Sequence, residues 1–347
     1  MNILALYVLV LSQQGFWLGG SDYAITFKRT DAAWPANTES IDIAWQLRLG
    51  DEVLASGKLA AKKDESPTVR LAVPEVRVRT ELRLTLSVSA GGNALLKDQQ
   101  KVEVFPRPDR QRLQRSLGGK RICILRRGKP VAGDADERLL AMLKDSGVVY
   151  EVVSDDTKLA IRSPEIVVVL ASALPGGLWK DSLPELAETG VSVLVLEQRV
   201  AAEIAGYPLT PRKTIERIAV TERHPLLEGF STREIEALLS GPSHQPIAMR
   251  LPADAPAQEV VYWAVPGGGP AMPIDCMIAV RTLGKGRIIY NQLPWEDHAA
   301  DARAVTMLFS TLEWMVTPPE PTLPPSARPP PAATRPVETP NRIEIKR

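Results

Sequence analysis

At 347 residues the chain is longer than one ordinary core requires and long enough for two. Forty-two Lys and Arg stand against 41 Asp and Glu, and a formal net charge of +1 excludes the basic excess of a polyanion-binding protein, so no nucleic-acid partner is expected. Hydrophobic residues at 44% and charged residues at 24% are the balance of a soluble globular chain.

The N-terminal segment, residues 1–14, holds an apolar run from Ile3 to Leu11, too short to span a bilayer, which takes about 20 residues. It reads either as a signal remnant, although no Lys or Arg precedes it, or as a buried first strand. Export and a cytoplasmic location both stay open. No other stretch approaches membrane length, so no membrane span is expected.

Residues 15–106 read as strands. Tyr23–Phe27 and Ile41–Leu49 alternate, and the latter places Ile41, Ile43, Trp45, Leu47 and Leu49 on one face. Gly50-Asp51 turns into a hairpin partner at Val53–Leu59. Thr68–Val73, Glu81–Val88 and Lys101–Phe105 complete the set. Short strands with no helical stretch between them predict a β-sandwich of immunoglobulin type.

Pro106-Arg107-Pro108 ends that unit, and residues 107–119 read as a polar, basic linker. The pattern then changes. Apolar runs at Arg121–Leu125, Val148–Val153, Glu165–Leu170, Val191–Leu196 and Gly286–Tyr290 fit strands covered on both faces. Asp136–Asp145 is helical, with acid in its first turn and Gly147 past its end. A last helix spans about Asp301 to Met315. Residues 120–316 therefore predict a doubly wound α/β unit with a parallel sheet. Beyond it, residues 317–347 carry ten prolines and few large apolar side chains, the composition of a disordered, proline-rich tail. Such a tail serves as a spacer, or as a tether to a partner.

Little in the chain carries chemistry. Cys123 and Cys276 cannot form a disulfide framework or complete a zinc site, and three histidines exclude a histidine-rich metal centre. No metal and no cofactor are expected. Open α/β sheets meet ligands beyond their strand C-termini. Here those positions are the loop Ala171–Leu178 with Ser172, then Glu197-Gln198, then Gln292 to Glu296 with Trp295. Ser172 lacks the glycines of a nucleophile elbow. Glu197 and Gln198 could bond hydroxyl groups, and Gln292 lies beside them. Trp295 offers a face to a sugar ring, as would Trp179 and Trp263 if exposed. His224, before Pro225, is a candidate base or a turn residue. Gly267-Gly268-Gly269 opens no helix and is not followed by Lys-Ser/Thr, so it is no phosphate loop.

Some motifs are shared with a known family. Trp45-Gln-Leu-Arg-Leu-Gly-Asp-Glu-Val-Leu-Ala-Ser-Gly57, Val193-Leu-Val-Leu-Glu-Gln198, His224-Pro-Leu-Leu-Glu-Gly-Phe230 and Gly284-Lys-Gly-Arg-Ile-Ile-Tyr-Asn-Gln-Leu293 resemble a region of bacterial β-galactosidase-like proteins of glycoside hydrolase family 2. The resemblance implies an immunoglobulin-like sandwich followed by a flavodoxin-like unit similar to class I glutamine amidotransferases. The family's hydrolytic (β/α)8 barrel has no room in this chain, and the amidotransferase nucleophile is missing. The resemblance thus implies a non-catalytic accessory or scaffold protein, glycan-binding or paired with a glycoside hydrolase chain, with no catalytic residues and no enzyme activity of its own. Two alternatives stand beside it: a degenerate amidotransferase-like hydrolase using Ser172 or His224, and a purely structural assembly module.

Overall fold

The computed structural model describes residues 7–10, 16–29, 39–62, 65, 67–126, 135–154, 157–170, 179–198, 203–204, 206–211, 218–220, 224–239, 247–252, 255, 257–263, 273–294 and 301–318. The chain is mostly β-sheet, with few helices. Its N-terminal strands are β1 (Tyr7–Val10), β2 (Phe16–Leu18), β3 (Asp22–Arg29), β4 (Ser40–Leu49), β5 (Glu52–Lys62), β6 (Thr68–Ala72), β7 (Thr80–Ala90) and β8 (Asn93–Phe105). They form two sheets, ordered β1-β3-β6 and β2-β8-β7-β4-β5.

Alternation decides which face of each strand turns inward. Ile41, Ile43 and Leu47 of β4 are buried with Leu82, Leu84, Leu86 and Val88 of β7, while Asp42, Gln46, Glu81 and Arg83 stay in solvent. Ile25 and Leu71 of the smaller sheet join them in one apolar cluster. Each such side chain contributes about 2 kcal/mol by leaving water. Leu49, expected on the buried face, stands exposed at the hairpin end, past an irregularity in the β4–β5 ladder.

The expected linker is not a bare connector. It contains α1 (Arg110–Leu117), whose first turn is capped by the Asp109 carboxylate accepting from Arg112 N–H at 3.0 Å. Leu113 and Leu117, four residues apart, are its buried stripe. Two apolar positions in a basic segment are a faint periodic signal, which is why the sequence reads as a connector.

The second unit follows as β9 (Ile122–Leu125), α2 (Ala135–Asp145), β10 (Glu151–Val153), α3 (Thr157–Arg162), β11 (Ile166–Val169), α4 (Trp179–Glu188), β12 (Ser192–Val195), β13 (Glu203–Ile204), β14 (Tyr207–Pro211), β15 (Ile218–Val220), α5 (Thr232–Leu239), β16 (Ile247–Leu251), β17 (Ala257–Trp263), β18 (Ile274–Leu283), β19 (Gly286–Asn291) and α6 (Ala302–Met315). Strands β10-β9-β11-β12-β19 are parallel. From β19 the sheet continues antiparallel through β18, β16, β14 and β13, with β17 and β15 branching off β18. The sheet is therefore mixed, not wholly parallel as expected. The change of direction comes at the β18–β19 hairpin, where two residues, Gly284-Lys285, join the strands. Gly284 has φ +55°, and a Cβ there would sit 2.4 Å from the Glu188 carbonyl oxygen, so only glycine fits against the end of α4.

Both faces of β9, β11, β12 and β19 are covered, which explains their unbroken apolar runs; the edge strand β10 is not covered as expected, and Val149 and Val152 of that run stand exposed. Ile124, Val168, Leu194 and Ile289 pack with α1, α2, α5 and α6. Leu125, Val167, Val193 and Ile288 pack with α3 and α4 on the other side.

Candidate functional site

The parallel strands converge, at their C-terminal ends, on a small network of amides. Gln198, just past β12, is almost fully buried, and its side-chain nitrogen donates to the Leu170 carbonyl at 3.0 Å and to the Leu196 carbonyl at 2.6 Å. Its backbone N–H donates to Gln292 Oε1 at 3.0 Å, and Gln292 N–H donates to the Met277 carbonyl at 2.7 Å. The ends of β11, β12 and β19 are thereby stitched together through two side chains, and the Gln292 backbone N–H adds β18. Gln292 Nε2 is buried without a hydrogen-bond partner among the described residues. Glu197 is buried beside them. The sequence places these three residues at one edge, and the structure brings them together there. Ser172 and Trp295 lie outside the described residues, as do the side chains of Trp179 and Trp263.

His224 sits elsewhere. Its Nδ1 accepts from Leu226 N–H at 3.3 Å and caps the 3-10 turn Pro225–Leu227. The imidazole meets the Trp314 ring edge-on, and Arg287 lies 4.1 Å over that same ring. Burial, and then the neighbouring Arg287 charge, push its pKa down from 6.5 to about 4. The ring is neutral at pH 7, and its nitrogen is engaged by the backbone. Arg287 also donates to the Thr317 carbonyl, and Ser192 Oγ donates to the Met315 carbonyl at 2.8 Å, so the end of α6 is pinned to the strand N-termini.

Sequence reasoning missed a polar and aromatic seam between the two units. Arg79, from the loop before β7, pairs with Glu103 of β8 and lies 2.7 Å from Glu234 Oε1 of α5. It also donates to the Gly229 carbonyl at 3.2 Å and lies over the Phe105 ring. Phe105 stacks on Phe230, with ring centroids 6.2 Å apart. Glu234 is doubly used, since its Oε2 accepts from Ser231 N–H at 2.8 Å and Ser231 Oγ–H at 2.6 Å to cap α5. Nearby, the fully buried Arg303 bonds both Asp301 oxygens, donates to the Glu234 carbonyl at 3.1 Å, and lies 3.8 Å over the Phe16 ring of β2. The legible signal was Asp301 and Arg303 at the head of an otherwise apolar helix, a charged pair that burial alone does not explain.

Cys123 and Cys276 are buried in β9 and β18, and neither is in a disulfide. Burial pushes the Cys123 thiol up from its ordinary pKa, which leaves it protonated and unreactive. Among the described residues no cluster of His, Cys, Asp and Glu could hold a metal ion, and no helix is long and apolar enough to cross a membrane.

No protein-family model and no curated protein matches the chain. Among solved structures it is similar to a protein described as ThuA-like from Bacteroides uniformis ATCC 8492, at 9% identity and a TM-score of 0.39, over 56% of this chain and 91% of that one. It is also similar to a β-galactosidase from Rahnella sp. R3, at 12% identity and a TM-score of 0.29, over 54% of this chain and 31% of that one. A β-glucuronidase from Parabacteroides merdae matches at 9% identity and a TM-score of 0.21, over 55% of this chain and 24% of that one. The chain spans less than a third of either glycosidase. Its structural neighbours thus include glycoside hydrolases, at low identity and partial coverage.

Proposed function

We propose that the chain is a non-catalytic accessory or scaffold protein, related to the accessory region of β-galactosidase-like proteins of glycoside hydrolase family 2. On this reading residues 15–106 are an immunoglobulin-like sandwich, 107–119 a helical joint, 120–316 an amidotransferase-like α/β unit and 317–347 a proline-rich tail. Two sheets around a common apolar cluster support the first assignment. The parallel order β10-β9-β11-β12-β19, with helices on both faces, supports the second, being the doubly wound order 2-1-3-4-5.

The observation that carries the non-catalytic reading is the engagement of Gln198. Its amide bonds two backbone carbonyls at the edge where an α/β enzyme would meet substrate. A ligand drawing on that amide would have to displace bonds worth about 1 kcal/mol each. The motifs behind the family resemblance serve the fold in the same way. His224 caps a turn, Phe230 stacks across the seam, and Gly284 permits a hairpin against α4. A hydrolase based on His224 is disfavoured by its bond from Leu226 N–H.

The test is turnover by the purified full chain with aryl β-galactosides and with glutamine. The scaffold reading expects none with either. Turnover that copurifies with the chain and disappears in His224→Ala or Ser172→Ala would replace it with the hydrolase reading.

A further inference from the structure

The outer face of the five-stranded sheet sorts its charge. Leu82, Leu84, Leu86 and Val88 of β7 and Ile43 and Leu47 of β4 are buried, so the residues between them face outward. Pairing sets these outward residues in rows across β8, β7 and β4: Lys101-Arg83-Arg48, then Gln99-Thr85-Gln46, then Lys97-Ser87-Ala44. The three rows hold four cations and no carboxylate. Asp42 lies in the row beyond them at one end, and Glu81 and Glu103 in the row beyond them at the other. The chain's balance of 42 basic against 41 acidic residues thus hides a local basic excess.

One row is electrostatically unfavourable as it stands. Arg83 lies opposite both Lys101 and Arg48. Paired strands run about 4.8 Å apart, and like charges directly opposite one another destabilise a sheet. Arg48 donates to uncharged acceptors, Gln46 Oε1 at 3.1 Å and the Asp51 carbonyl at 2.7 Å, so its charge is not neutralised. Lys101 lies 3.1 Å from Glu81, but both groups are more than half exposed, and such surface pairs are weak. Arg83 and Lys97 are exposed and pair with no carboxylate among the described residues. An anion laid across the row would relieve it.

The side chains alongside select the kind of anion. Gln46, Thr85, Gln99 and Ser87 offer the amide and hydroxyl groups that bond sugar hydroxyls. No aromatic or large aliphatic side chain stands in these rows. Trp45 turns inward against Gly57, and Phe105 is taken up by Phe230 at the seam. A protein partner draws its affinity from apolar and aromatic anchors, and a nucleic-acid strand from stacking platforms. These rows supply neither.

We infer that this face binds an acidic glycan, a polysaccharide bearing carboxylate or sulfate groups. Arg48, Arg83 and Lys101 take one set of anionic groups, and Lys97, about 13 Å along β8 from Lys101, takes the next. Gln46, Thr85 and Gln99, between them, take hydroxyls. This goes beyond the scaffold reading and stands without it, because it concerns binding and not turnover.

The probe is an octamer of galacturonic acid, titrated into the isotope-labelled full chain and followed by amide NMR. A sulfated galactan octamer, a neutral galactan octamer and poly-L-glutamate are titrated beside it. The expected shifts centre on Arg83, Thr85, Gln99 and Lys101, weaken with salt, and are absent with the neutral octamer. The tighter of the two acidic octamers identifies carboxylate or sulfate as the group recognised. Arg83→Glu should weaken that binding about fivefold, on the scale of exposed ion pairs. Arg83→Thr should weaken it too, yet raise the melting temperature of the free chain, because it breaks up the row of like charges. No shift at those four amides with either acidic octamer at millimolar concentration would overturn the proposal. So would poly-L-glutamate binding as tightly as the acidic octamers, which would assign the face to an acidic protein. A melting temperature lowered by Arg83→Thr would also overturn it, since the row would then need no anion.

Discussion

Arg79 and Glu234 face each other across the junction of the two units, with Nη2 2.7 Å from Oε1. The arginine is partly open to solvent and the carboxylate is not. Burial makes Glu234 the costly member of the pair, because truncating Arg79 strands a charge that is already desolvated. Glu234 also holds Ser231 in a capping arrangement, so the ion pair and the start of α5 are one device.

Arg79→Ala should therefore destabilise the full chain by roughly 2 kcal/mol, discounted from the buried-pair range for the exposure of Arg79. Glu234→Ala should cost more than that, because it removes the α5 cap as well. Urea denaturation followed by intrinsic fluorescence would measure both. Equal stability of wild type and Glu234→Ala would show that the seam contributes nothing.

Arg303→Ala should be the most damaging single change near the seam, at about 3–5 kcal/mol. It leaves the buried Asp301 carboxylate without its cation and strips the Phe16 ring of its cover. Asp301→Asn, which keeps the cap on Arg303 N–H but loses the charge, should cost less than Arg303→Ala. The reverse order in thermal unfolding would contradict the buried-pair account.

These relationships show where the sequence was legible. Period-two alternation in Ile41–Leu47 and Leu82–Val88 identified two neighbouring antiparallel strands because one face of each meets a core and the other meets water. The runs at Ile166–Val169 and Ser192–Val195 identified the covered parallel strands for the complementary reason. The antiparallel extension through β18, β16 and β14 was illegible. Those strands are also buried on both sides in places, so they carry no alternation that betrays direction. The edge holding Glu197, Gln198 and Gln292 was found from topology, yet the commitment of the Gln198 amide to Leu170 and Leu196 depends on neighbours distant in sequence. The seam was hidden for the same reason: Phe105 and Phe230 are far apart in the chain and neither announces a partner.

Gln198→Leu should destabilise by about 1–3 kcal/mol, since the Leu170 and Leu196 carbonyls lose their donor in a buried site. Hydrogen exchange should then quicken at the ends of β11 and β12 before it changes elsewhere. Unaltered protection there would mean that the amide network does not hold the edge.

His224 supplies a pH dependence whose sign can be worked out. Its folded pKa, about 4, lies below the ordinary 6.5 because burial disfavours the imidazolium and Arg287 repels it. The unfolded chain therefore binds the proton more readily, and folding stability rises with pH across that interval. The contribution is complete above about pH 6.5 and is lost progressively as pH falls toward 4, amounting to about 3 kcal/mol. His224→Asn retains a capping side chain and cannot titrate there. Its stability should change less than that of wild type between pH 6.5 and 4, and an identical slope would remove His224 as the source.

The central claim is that the N-terminal sheets and the mixed sheet of β9 to β19 behave as one body through the seam of Arg79, Glu234, Phe105 and Phe230. Differential scanning calorimetry of the full chain tests it directly. Wild type should unfold in one transition, with calorimetric and van't Hoff enthalpies equal, and the double variant Arg79→Ala, Phe230→Ala should split into two transitions. Two separate transitions in wild type, or one undivided transition in the variant at an unchanged temperature, would contradict the claim.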